Sequence, residues 1–187
     1  MELSDAELVR RCLQGDNVSF DALVRSYQKQ VYCFCYHMLG IPEESADAAQ
    51  ESFIKAYYAL ASFRRDARFA TWLLKIASNT CIDRSRARAR RANAALEELA
   101  DDAAALQSDQ PTPEESVLRG ESDRMVREAV LRLPERHRTA LVMFHFSGLG
   151  IREISEALGR PENTVKSDLR VAREMLRRKL EGVVTER

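Results

Sequence analysis

Glycine and proline are scarce, with seven and five in 187 residues. That leaves little material for the tight turns of a β-rich fold. No run approaches the roughly 18 consecutive apolar residues of a membrane span. The N-terminal segment does not combine basic and apolar stretches in the manner of a signal peptide, so the chain is expected to be cytoplasmic and not membrane-inserted. Cys12, Cys33, Cys35 and Cys81 do not make a secreted disulfide framework at this length. No nucleophile–base set and no phosphate-binding glycine loop is present, so neither catalysis nor a cofactor is expected. Net charge is missing too, with 29 lysines and arginines against 29 acids. That balance argues at first against a nucleic-acid binder, but the charges are segregated along the chain, and distribution matters more than the sum.

What is present is helical spacing nearly everywhere, which predicts an all-α fold. Ser4-Asp5-Ala6-Glu7 has the form of a capping box, and Leu8, Val9, Cys12 and Leu13 continue it as a short helix ending near Gly15. A second helix starts at residues 16–19 and carries Phe20, Leu23, Val24, Tyr27, Val31, Phe34 and Met38 at intervals of three or four. Gly40 and Pro42 punctuate its end. A third helix is predicted over residues 43–61. A fourth starts near Phe69 and runs through Trp72, Ile76 and Ile82 into the arginines after Arg84. Residues 92–118 contain no lysine or arginine but hold Glu97, Glu98, Asp101, Asp102, Asp109, Glu114 and Glu115, with Pro111 and Pro113. This stretch reads as an acidic flexible linker, helical only near residues 94–100. The expected organisation is a helical domain at 1–92, the linker at 93–119 and a second helical domain at 120–187.

In the second domain, a short helix over residues 151–158 is followed by Gly159, a turn, and a long helix from Thr164 to about Leu180. Two helices joined by a tight glycine-containing turn form a helix-turn-helix. Val165, Leu169, Ala172, Leu176 and Leu180 must face the domain. One position on, rotated by about 100°, lie Lys166, Arg170, Arg173 and Arg177. A helix anchored on one face and cationic on the next can enter a major groove. The plain alternative is a solvated basic face, which the preceding short helix and turn make less attractive.

In the first domain, Phe63, Arg64, Phe69, Trp72 and Asn79 place aromatics beside cations and an amide. Arg84, Arg86, Arg88, Arg90 and Arg91 follow. Unpaired bases need a surface to stack on and charge for the backbone. Core packing of Trp72 and a solvated arginine run stand as alternatives. The acidic stretch 43–51, with Asp47, Gln50 and Glu51 before Phe53, suits either a solvated face or a dock for a basic partner. Cys33, Cys35 and His37 could clip a metal only if their helix were broken. In an intact helix, i and i+2 diverge by roughly 200°, so buried free thiols are expected and no metal site.

Asp47-Ala48-Ala49-Gln50-Glu51-Ser52-Phe53-Ile54-Lys55-Ala56-Tyr57 resembles the region-two segment of extracytoplasmic-function (ECF) sigma factors of the sigma-70 family. Phe69 through Thr80 is similar to their promoter-melting and −10-reading segment, and residues 133–179 to their region four. The resemblance covers both domains in order, apart from the acidic stretch. It implies that Asp47, Gln50, Glu51 and Phe53 contact the clamp coiled coil of the largest subunit of core RNA polymerase. By the same resemblance, residues 62–69, including Phe63, Arg64 and Phe69, form with Asn79 a pocket for a flipped −10 base. Trp72 supports strand separation, and Arg84, Arg86 and Arg88 hold the backbone. Thr164, Lys166, Ser167, Arg170 and Arg173 belong to the −35 contact, and region four also meets the flap of the second-largest subunit. An anti-sigma factor is implied as a regulator. Asp168 and Val171 depart from the family pattern, which commonly has basic residues there. An acid at 168 is expected to repel phosphate or to accept from a cytosine amine, so the usual −35 sequence is not assumed. A stand-alone dimeric helix-turn-helix regulator would leave Phe53, Trp72 and Asn79 without a task.

Overall fold

The computed structural model describes residues 3–63, 68–99 and 119–185. Arg64 and the linker beyond residue 99 lie outside these. Among the described residues there are eight α-helices and no strand. They are α1 (Asp5–Cys12), α2 (Asn17–Leu39), α3 (Pro42–Ala59), α4 (Phe69–Leu99), α5 (Arg119–Leu131), α6 (Glu135–His145), α7 (Ile151–Leu158) and α8 (Glu162–Thr185).

Local chemistry sets the boundaries. The Ser4 side chain accepts from the Glu7 N–H at 3.3 Å. The Glu7 carboxylate, however, turns to Arg10 and Arg11 at 2.7 and 3.0 Å, so only half of the predicted capping box forms. Those two guanidiniums hold the Glu7 carboxyl down at about 2. Asp16 caps α2 by accepting from the Val18 N–H at 3.0 Å. Gly40, at φ 80°, closes α2, and Pro42 sits in the first turn of α3, where its missing N–H costs nothing. The third helix stops at Ala59 and tightens into a 3-10 turn at Leu60–Ser62 instead of running on to 61. α4 is the long element. Its 31 residues, at about 1.5 Å each, carry it past residue 92, the boundary expected from composition.

Leu23, Val31, Phe34, Leu73 and Leu74 are fully buried between α2 and α4, while Val130, Val142, Met143, Ile154 and Val165 fill the space among α5–α8. Each such side chain contributes roughly 1.5–3 kcal/mol of burial. The two helix groups also touch. The His37 ring stacks on Phe146 with centroids 3.7 Å apart. Gln30 Nε2 donates to the Ser147 carbonyl at 3.1 Å. Arg127 donates to the Tyr36 hydroxyl at 2.7 Å and lies over its ring. Hydrophobic periodicity encodes none of these contacts, and the sequence left the placement of the two groups open.

Candidate nucleic-acid interface

The helix-turn-helix forms as the glycines and the apolar spacing direct. The Gly150 N–H donates to Glu153 Oε2 at 2.8 Å, fixing the first turn of α7. Gly159, at φ 62°, ends α7 in the left-handed conformation that a side chain would resist. Ser155 Oγ donates to the Arg160 carbonyl at 2.5 Å and pins the turn. On α8, Val165, Leu169 and Ala172 are buried, Thr164 is half-buried, and Lys166, Ser167, Arg170 and Arg173 are exposed. The Arg173 guanidinium lies over the Phe144 ring at 5.4 Å and within 3.4 Å of His145 Nε2. Burial and that cation together lower the His145 pKa.

Asp168 corrects the sequence reading. It is 2% exposed and points inward, where Arg136 Nε donates to its two oxygens at 2.8 and 3.0 Å. Arg160 Nη1 and His137 Nδ1 each lie 3.4 Å away. The reason is helical phase, since position 168 is three past Val165 and four before Ala172. In this fold its carboxylate neither faces phosphate nor reads a base.

At the start of α4, Trp72 is half-buried and packs on Phe63 and Phe69, with centroids 5.2 and 5.6 Å away. Phe69 is 2% exposed and also meets Tyr27, so it backs this cluster instead of offering an open face. A cavity of about 180 Å³ beside it is lined by Asp5, Ala6, Tyr27, Phe63, Arg68, Phe69 and Ala70. Tyr27 donates to Asp5 at 2.5 Å, and burial together with that carboxylate pushes its pKa up to about 12. Asn79 is exposed further along α4.

The predicted backbone-holding arginines already have acidic partners. Arg84 pairs with Glu51 at 2.8 Å and Asp47 at 3.7 Å, Arg86 with Glu135 at 3.0 Å, and Arg88 with Glu44 at 2.9 Å. Arg68 and Thr71 both donate to Glu153, at 3.0 and 3.2 Å. Sequence reasoning missed Glu44, Glu135 and Glu153 in these roles, and no local spacing relates them to their partners.

Of the four residues expected at a core-polymerase contact, Asp47 and Gln50 are exposed. Glu51 is half-buried between Lys55 and Arg84, which hold its carboxyl below the ordinary range. Phe53 is only 9% exposed. It lines a groove of about 480 Å³ with Phe20, Val24, Ile54, Tyr57 and Tyr58. The exposure of Ile54, Tyr57 and Tyr58, at 51, 42 and 81%, was the overlooked signal, because their three- and four-residue spacing marks an apolar stripe on the outer face of α3.

Among the described residues, no group of three or more His, Cys, Asp or Glu is arranged to hold a metal ion. Cys33, Cys35 and His37 lie in unbroken α2, and Cys35 is buried beside Cys81. No described helix is long and apolar enough to cross a membrane.

Comparison with known proteins gives two family matches: sigma-70 region 2 over residues 23–91 and sigma-70 region 4 over residues 123–176. The RNA polymerase sigma-H factor of Pseudomonas aeruginosa is 37% identical, covering 97% of this chain and 96% of its own. The ECF RNA polymerase sigma factor SigW of Bacillus subtilis is 34% identical over 96% of this chain and 98% of its own. Among solved structures, CnrH in complex with the cytosolic domain of CnrY aligns with a TM-score of 0.71 at 23% identity, covering 95% of this chain and 97% of that one. RpoE in complex with the anti-sigma factor NepR from Bartonella quintana aligns at 0.67 and 19%, covering 87% and 96%. With both regions matched in order and full-length relatives above 30% identity, the chain belongs to the ECF branch of the sigma-70 family.

Proposed function

We propose that this chain binds core RNA polymerase in the cytoplasm and directs initiation at promoters carrying two spaced elements, without catalysing any chemical step itself. Residues 1–92 serve core binding and −10 capture, residues 93–119 connect, and residues 120–187 dock on the −35 duplex. One observation carries the reading: region 2 and region 4 occur in that order within one chain of the relatives' length.

Lys166, Ser167 and Arg170 present donors to a major groove, with Thr164 and Arg173 flanking them. On the other domain, Trp72, Asn79 and the cavity at Phe63 and Arg68 suit an unstacked base. Unstacking costs a few kcal/mol per base, and aromatic stacking returns about 1–3 kcal/mol. Capture of the open strand is therefore favourable only when polymerase and the −35 contact share the cost. Asp47, Gln50 and the groove at Phe53 and Tyr58 suit the polymerase clamp. The two aligned structures are complexes with CnrY and NepR. They support control of this chain by an anti-sigma factor.

The test is transcription from a library of random promoters by core polymerase with and without the chain. Start sites sharing two spaced elements are expected only with it. An unchanged start-site distribution removes the reading, and tight sequence-specific binding by the chain alone favours a stand-alone regulator.

A further inference from the structure

At about 100° per residue, the edge of α8 between its buried face and the Lys166–Arg170 face begins with Thr164, Ser167 and Val171, none of them charged, and continues into Glu174 and Arg178, which pair with each other at 2.6 Å. Asp168 stands where that edge meets the core. Its carboxylate is 3% exposed, and a carboxylate taken from water needs compensation. It receives more than one cation. Arg136 reaches it from the first turn of α6 and Arg160 from the turn before α8. Their side chains remain 55 and 30% exposed. Arg136 binds through Nε, which leaves the two amino groups of its fork at the outer end.

We infer that Asp168 is a positioning residue for duplex binding, holding Arg136 and Arg160 along the uncharged first turns of this edge of α8 so that their outward amino groups meet the phosphates bordering the groove. The inference rests on the reading of α8 as the −35 helix. A guanidinium fixed in advance loses less freedom on binding than a free one. Phosphate contacts carry no sequence information, so Asp168 sets the strength and salt dependence of binding and not the choice of bases.

The experiment uses the full chain assembled with core polymerase and a duplex promoter fragment recovered from the library selection. Affinity is measured across a salt series for Asp168→Asn, Arg136→Gln, Arg160→Gln, their combinations and Lys166→Ala/Arg170→Ala. Each single arginine variant is expected to lower the slope of log K against log salt by about one. Asp168→Asn should lower the slope in the same direction, equally on fragments with intact and altered −35 elements. Added to the double arginine variant, it should lower it no further. An unchanged slope in Asp168→Asn overturns the inference, as does an altered base preference. If Asp168→Asn does not fold, the arginine variants decide, and an unchanged slope in both overturns it. Unchanged binding in Lys166→Ala/Arg170→Ala instead removes the −35 reading on which the inference stands, whatever Asp168 does.

Discussion

Glu153 and Thr71 meet across 82 residues of chain, the Thr71 hydroxyl donating to Glu153 Oε1 at 3.2 Å. Arg68 donates to the same oxygen at 3.0 Å, while the other oxygen accepts from the Gly150 N–H. One carboxylate therefore caps the first helix of the helix-turn-helix and clasps the start of the helix that carries Trp72.

Glu153→Gln is expected to loosen the contact between α4 and α7 by about 1 kcal/mol. Faster amide exchange at both helix starts is the readout, and unchanged protection counts against the clasp. The Gly150 N–H first, then Arg68 and Thr71, hold the Glu153 carboxyl below its ordinary range. A carboxyl lowered by folding adds stability above its unfolded value of about 4.3 and loses it as pH falls through the folded one. The clasp should be at full strength at neutral pH and give way below about pH 4.

Gly40→Ala and Gly159→Ala separate strain from crowding. Both positions have positive φ, 80° and 62°, so alanine costs about 1 kcal/mol at either. Only at Gly40 would the new methyl press into the Leu131 side chain. Urea unfolding should show Gly40→Ala roughly 1 kcal/mol worse than Gly159→Ala. Equal losses would mean that Leu131 swings aside freely.

The Cys81 thiol, hydrogen-bonded to Cys35 and buried, is pushed well above the usual thiol range. Alkylation requires thiolate and access. Iodoacetamide at pH about 8 is expected to leave Cys35 and Cys81 unlabelled in the folded chain and to label both in urea. Prompt native labelling of either would contradict the buried pair.

Asp47→Ala and Glu51→Ala should differ in kind. Asp47 has a 68% exposed side chain and only a distant contact to Arg84, so its loss should leave stability within about 0.5 kcal/mol while weakening core binding. Glu51 bonds both Lys55 and Arg84 at 2.8 Å, and its loss should lower stability and core binding together. Competition for core polymerase and thermal unfolding, run on both variants, tell the cases apart.

Trp72→Ala is expected to lower open-complex formation by roughly 5- to 150-fold, the equivalent of one base stack of about 1–3 kcal/mol. Trp72→Phe, which keeps a ring against Phe63 and Phe69, should retain most of it. Permanganate reactivity of unpaired thymines gives the measurement, and equal melting by both variants would make Trp72 a packing residue only.

Helix identity and ends were legible in the sequence because they are local: Asp16, Gly40, Pro42 and Gly159 act on their own turns. The inward face of α8 was legible through Val165, Leu169 and Ala172. The same periodicity assigns Asp168 to that face, yet the family pattern, with a basic residue commonly at that position, led to a DNA-facing reading. Its partner Arg136 is 32 positions away, beyond any periodic signal. The contacts of Glu153 with Thr71 and of His37 with Phe146 depend on how two helix groups meet, which no single helix encodes. The groove at Tyr57 and Tyr58 was not legible for a different reason: helical spacing marks Ile54, Tyr57 and Tyr58 as one apolar stripe but does not say whether another helix covers it.

On the proposed reading of Arg84, Arg86 and Arg88 as backbone-holding residues, the acids beside them have a consequence for DNA binding. Each arginine already holds a counter-anion of the protein's own, so engaging a phosphate is an exchange of one anion for another. The released Glu51, Glu135 or Glu44 must then find a cation from solution or from polymerase. Some of the ions that DNA gives up are thereby taken back, and salt weakens the broken and the formed pair alike. The region-2 arginines should therefore report less salt sensitivity than their number suggests, as in an ion exchanger supplied with its counter-ions already bound.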